Sequence, residues 1–151
     1  MSKYSSLSEM EQKHREEFHS FPIIWVFAFC EDDFIKQMSE EIKKRKPNCT
    51  GITTLRGLSK HVVSIGAGGH ILRDDLSAYK EMCQRQRIEQ EEMLKDEKWL
   101  VQKIVEEMVD HEYPYTQDKT DTLMALGKSY ADLENDEFFR QAWAKAEKKI
   151  A

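Results

Sequence analysis

Long apolar runs, paired cysteines and phosphate-binding glycine loops are all missing from this 151-residue chain. Its longest apolar run, Phe21 to Cys30, is ten residues and includes Pro22, far short of the ~20 residues of a membrane helix. Lys3 to Glu17 is mostly polar, so no apolar signal core is expected. Cys30, Cys49 and Cys83 are odd in number, widely spaced and without a CxxC pair. That pattern excludes a disulfide scaffold and offers no zinc spacing; it suits reduced thiols in a cytoplasm. GxSxG and HExxH are also lacking, so neither a nucleophile elbow nor a zincin helix is present.

Glycine is scarce at six residues, and three of them fall in "SIGAGGHILR", Ser64 to Arg73. A P-loop needs GxxxxGK[ST], but His70 and Ile71 follow Gly69. A dinucleotide fingerprint needs a third glycine where Ile71 stands, and a helix after it. Two β-type runs instead flank the cluster, which predicts a hairpin whose glycines supply positive φ. A two-residue turn at Ala67-Gly68, with a bulge at Gly69, sets Ile65 opposite His70 and Val63 opposite Leu72. His70 then shares a face with apolar neighbours and is expected partly buried and hydrogen-bonded.

What is present is mostly helix. Leu7, Met10, His14, Phe18 and Phe21 recur at three- or four-residue steps and predict a helix from about Ser6 to His19. "IIWVFAF", Ile23 to Phe29, is continuous, β-branched and aromatic, and reads as a strand buried on both faces or at a sheet centre. A second helix follows, with Asp32 or Asp33 as cap and Lys43, Lys44 and Arg45 in its last turn. "GITTLRG" is a short strand or loop. Asp74 and Asp75 cap a helix to about Leu94, and Leu100, Val101, Ile104, Val105 and Met108 mark another segment over Glu97–His111, either continuous with the first or broken from it near Asp96. "EYPYTQDKT" reads as a loop. A short helix follows at Asp121–Leu126, ended by Gly127, then a short turn from Ser129 around Ala131 to Leu133; a final helix capped at Asn135 or Asp136 runs through Trp143 to Ile150. The tryptophans at 25, 99 and 143 lie in apolar stripes and read as core. The expected fold is a single α+β domain over residues 1–151, a small antiparallel or mixed sheet packed by several helices, with a helical C-terminal half.

Charge is unevenly spread. The formal total is −5, yet Ile42 to Arg73 holds no acid and seven bases: Lys43, Lys44, Arg45, Lys46, Arg56, Lys60 and Arg73. Asp74 to Asp121 holds fourteen acids against seven bases. The basic stretch can meet phosphate backbone or simply complement a helix end. The acidic part, with Glu106, Glu107, Asp110 and Glu112, can face a basic protein groove. The basic stretch lacks interleaved aromatics and the total is acidic, which argues against a dedicated nucleic-acid binder. Glu107 and His111 stand four apart with no second ligand pair. No metal, cofactor or catalytic residue is assigned.

The C-terminal segment "HEYPYTQDKTDTLMALGKSYADLENDEFFRQAWAKAEKKI" resembles a family of small uncharacterised proteins carried by bacterial mobile elements and phages, sharing an HEYxYT…TLxALG pattern. The matching residues are His111, Glu112, Tyr113, Tyr115, Thr116, Thr122, Leu123, Ala125, Leu126 and Gly127. "WVFAF" and "SIGAGG" also look like that family. The resemblance implies an accessory gene and no known activity. It leads to the expectation of a non-enzymatic inhibitor of a host defence nuclease, such as a CRISPR effector, working in the cytoplasm on a host protein or its nucleic-acid complex. The alternative is a nucleic-acid-binding accessory factor using the basic stretch from Lys43 to Arg73.

Overall fold

A computed structural model describes residues 4–151. It is an α+β fold with a three-stranded antiparallel sheet and, among the described residues, nine α-helices. Its contacts sort into two compact units: residues 14–85, and residues 4–13 together with 86–151.

The unit of residues 14–85 holds the sheet. Strand β1 (Ile24–Trp25) pairs with β3 (Gly69–Leu72), which also pairs with β2 (Val62–Gly66), so β3 is central. Helix α2 (Glu31–Arg45) and the one-turn α3 (Leu55–Leu58) belong to the same unit. Ile24, Met38, Ile42, Leu58, Val62 and Leu72 form its core, with Val26, Phe34 and Ile52 packed against them. Helix α2 carries Met38 and Ile42 on its buried face at a four-residue step, and acids in its first turn. Its N-cap is Cys30, without a side-chain cap bond, so Asp32 and Asp33 serve the helix dipole and do not cap it. Asp74 and Asp75 likewise lie in a 3₁₀ turn, Arg73–Asp75, ahead of α4 (Leu76–Met93).

The expected hairpin is present. Gly66 pairs with Gly69 across Ala67 and Gly68, whose φ values of 52° and 82° are the left-handed pair that a tight primed turn requires. The register differs from expectation. An irregularity between Ser64 and Gly66 drops Ile65 from the ladder, so His70 pairs with Ser64 and Leu72 with Val62. The bulge lies on β2, where Gly66 takes φ 93°, and not at Gly69.

The second unit is helical. Helix α1 (Leu7–Ser20) gives it Leu7 and Met10, which pack with Tyr4 and Met93. Helix α5 (Glu97–Asp110), capped by Asp96, buries Leu100, Val101, Ile104 and Met108. These meet Phe139, Ala142, Trp143 and Ala146 of α9 (Glu137–Ile150), itself capped by Asp136. The "EYPYT" segment is a one-turn helix, α6 (Tyr113–Thr116), where a loop is expected. Helix α7 (Thr120–Ala125) buries Thr122 and Leu123, and α8 (Tyr130–Asn135) starts on a capping box between Ser129 and Asp132.

Gly127 ends α7 as the sequence suggests. Its φ is +66°, and the Gly127 and Lys128 amides donate to the carbonyls of Met124 and Leu123. A Cβ there meets nothing within 4 Å, so the cost of Gly127→Ala is that of the left-handed backbone alone. We expect a loss of about 1–2 kcal/mol, read as a lower urea midpoint at unchanged slope.

Candidate interaction site

All seven residues of the basic stretch fall in the sheet-bearing unit, and three of them form ion pairs there. Lys44 and Arg45 both pair with Glu41, at 3.0 and 2.7 Å, and these contacts hold the Glu41 carboxyl below its usual range, Arg45 contributing most. Lys46 pairs with Asp74, and that bond raises the lysine's pKa. The Arg73 guanidinium donates to the Ser59 carbonyl at 2.6 Å. The stretch therefore presents Lys43, Arg56 and Lys60 as exposed cations without an ion pair among the described residues.

The acidic set on α5 is also divided. Lys103 lies between Glu11 at 3.0 Å and Glu107 at 3.2 Å, and Glu107 faces His111 Nε2 at 3.4 Å. Burial pulls the Lys103 pKa down, but the two carboxylates outweigh it and the net shift is upward. Burial, reinforced by Glu11, raises Glu106. Glu107 is thus turned toward Lys103, while Asp110 and Glu112 are exposed. Glu112 is left-handed, with φ 57°. The sequence places all four on one acidic helix end; in the fold Glu107 is engaged by Lys103 and Glu106 is partly buried, whereas Asp110 and Glu112 are exposed. Among the described residues, no group of three His, Cys, Asp or Glu side chains is placed to hold a metal.

Of the HEYPYT motif only Tyr113 points inward; His111, Glu112, Pro114, Tyr115 and Thr116 are exposed. Tyr113 is buried and donates its hydroxyl to Glu147 Oε2 at 2.9 Å. Burial first, and then Glu147, push its pKa up to about 12. Its ring meets Trp143 edge-on at 5.6 Å. Tyr115, two residues on, is almost wholly exposed.

The surface that sequence reasoning missed is the Ile23–Phe29 run. It is neither central nor buried on both faces. β1 spans two residues at the sheet edge, and no strand lies on its outer side among the described residues. Ile24 and Val26 turn into the core, whereas Trp25 is 47% exposed, Phe27 85%, and Phe29 fully exposed. Trp25 is thus not a core tryptophan, unlike Trp143; Trp99 is partly buried against Leu7 and Met10. The in–out alternation runs from Ile24 to Phe27 and stops there, since Ala28 and Phe29 are both exposed beyond the two-residue strand.

Two contacts hold the row in place. The Gln37 side chain of α2 donates to the Phe27 carbonyl at 3.1 Å. The Trp25 ring lies on Gly69, where a Cβ would come within 3.0 Å of two indole carbons. Gly69 therefore serves close approach, because only a residue without a side chain lets the indole rest on β3. His70, beside it, is half-buried against Phe34 at 5.5 Å. Its Nδ1 is buried without a hydrogen-bond partner, so the expected hydrogen bond is missing at that atom. Immediately after the row come Glu31 and Asp32, both exposed and without an ion pair among the described residues.

The model of a family of unknown function, DUF7659, matches residues 6–149. The chain belongs to that family. No curated protein and no solved structure matches it. Family membership therefore covers both units and brings no named activity with it. No helix of the described residues is long and apolar enough to cross a membrane.

Proposed function

We propose that this DUF7659 member is a non-enzymatic binding protein that acts by surface contact on another protein. The observation that carries the reading is the set of exposed rings of Trp25, on the open edge strand, and of Phe27 and Phe29 just after it. Three large rings left in water cost free energy unless something covers them, at about 25 cal/mol per Å² of apolar area, and contiguous exposed apolar area marks interaction sites. Aromatic residues are also the side chains that dominate interface energetics. Within this class we read the chain as a protein of a bacterial mobile element or phage that inhibits a host defence nuclease, such as a CRISPR effector, in the cytoplasm. Support for that setting is the resemblance of the segment His111–Ile150, together with the net charge of −5, which suits a partner with a basic groove.

The nucleic-acid reading has its own observation: Lys43, Arg56 and Lys60 are uncompensated in the same unit as the exposed rings. Rings and cations together are what single-strand binding uses. Affinity capture from a bacterial lysate separates the two, run with and without nuclease treatment and with the double variant Phe27→Ala/Phe29→Ala beside the wild type. We expect a protein captured by the wild type in both conditions and lost in the variant. Capture that vanishes on nuclease treatment would transfer the function to nucleic acid.

A further inference from the structure

Three features of the β1 edge converge. First, the outer side of β1 has no strand partner among the described residues, so part of its backbone hydrogen-bonding capacity faces outward. Second, Trp25 in β1 and Phe27 and Phe29 just beyond its end all expose their rings, so the chain leaving the open edge carries apolar aromatic surface. Third, the row runs directly into Glu31 and Asp32, whose carboxylates are exposed and unpaired among the described residues, and into the half-buried Asp33, which is engaged by Gln37 at 2.8 Å. The bond from Gln37 to the Phe27 carbonyl ties the row to the same helix that carries these acids.

We propose that the Trp25, Phe27 and Phe29 row, with Glu31 and Asp32, is a docking surface for an extended, lysine- or arginine-rich segment of a partner protein, laid along the open edge of β1. The proposal rests on the protein-binding reading and gives the partner its chemistry. Cationic side chains suit both halves of the surface. They lie favourably over aromatic faces and they neutralise the two free carboxylates. An extended segment supplies the main-chain partners that an open edge lacks. Phosphate backbone is disfavoured here, since Glu31 and Asp32 repel it at the end of the row. A second copy of this chain is disfavoured too, because it brings the same uncompensated carboxylates.

Trp25 is the ring whose position the sheet dictates. Gly69→Ala brings a methyl carbon to 3.0 Å from two indole carbons, so the ring must shift slightly, with no change in the charge of the surface. Phe27 and Phe29 touch little of the core, so truncating them leaves folding intact.

Three labelled probes test this on the full chain by fluorescence anisotropy: a short peptide alternating lysine with valine, its counterpart alternating glutamate with valine, and single-stranded oligothymidylate. The lysine peptide is expected to bind, more weakly as salt rises, and the other two are not. Phe27→Ala/Phe29→Ala is expected to weaken it by about tenfold or more, the loss of at least one strong aromatic contact. Glu31→Gln/Asp32→Asn is expected to weaken it and flatten its salt dependence, with the melting temperature of each variant showing that the fold is kept. Equal binding of the two peptides, or none of the lysine peptide, overturns the proposal, as does tighter binding of oligothymidylate. If the lysine peptide fails while the aromatic variant still loses a captured protein, the partner chemistry is wrong and the protein-binding reading stands. If nothing is captured, both fall.

Discussion

Phe139→Ala is expected to remove about 3–5 kcal/mol of stability, the range for deleting a buried phenylalanine. Phe139 is 1% exposed and sits in the cluster that joins α5 to α9. Its ring faces Trp143 at 6.1 Å, and Lys128 Nζ lies 5.5 Å from the ring centre. Truncation leaves a cavity lined by helices that are each fixed elsewhere, so little collapse can fill it. The affected unit carries Trp99 and Trp143, while Trp25 belongs to the other. Urea denaturation followed by fluorescence in a Trp25→Phe background therefore reports on the helical unit. A loss under about 1 kcal/mol would show that the α5–α9 interface is not the centre of that unit's core.

The second large effect is an alkaline one. Tyr113 has its pKa raised from 10.0 to about 12, by burial first and by Glu147 second. Below pH 10 both folded and unfolded chains hold the phenolic proton. Between 10 and 12 the unfolded chain releases it and the folded one retains it, so stability present at neutral pH is lost as pH climbs through that window. The shift corresponds to at most about 3 kcal/mol. Burial also raises the Tyr79 phenol, and the carboxylates of Glu11 and Glu107 raise Lys103 against the effect of its burial, so the whole protein weakens in alkali. Tyr113→Phe isolates the first contribution. It costs about 1 kcal/mol at neutral pH through the lost bond to Glu147. Its stability should then fall less steeply above pH 10 than the wild type's. Parallel denaturation curves for the two proteins at neutral and alkaline pH decide it; identical alkaline slopes would falsify the assignment.

The helices were readable because their signals are local. The apolar stripe from Leu100 to Met108, the start at Ser129 and the glycine after α7 each depend on neighbours within a turn or two. The hairpin was readable for the same reason, and its register was not, because the bulge at Ile65 depends on how β3 meets two strands at once. Ile23 to Phe29 failed for a different reason. All of its residues are apolar, so an inside–outside alternation leaves no trace in polarity, and a continuous run reads as burial. A usable signal did stand beside it: Pro22 borders the run, and proline belongs at sheet edges. The acids of α5 carried a usable signal too, since Lys103, Glu107 and His111 follow one another at four-residue steps, the spacing of internal helix pairs.

The helical unit is discontinuous along the chain, and that has a consequence for how it is made. Tyr4 donates to Glu89 at 2.5 Å across 85 positions, and Lys103 reaches Glu11 across 92. A ribosome releases the whole sheet-bearing unit before it releases these partners. At roughly 5–20 residues per second, the early segment waits several seconds for them. During that interval Leu7 and Met10, fully buried in the finished protein, are apolar surface open to chaperones and proteases, so slowing translation between residues 14 and 88 should lower the yield of folded protein more than slowing it later.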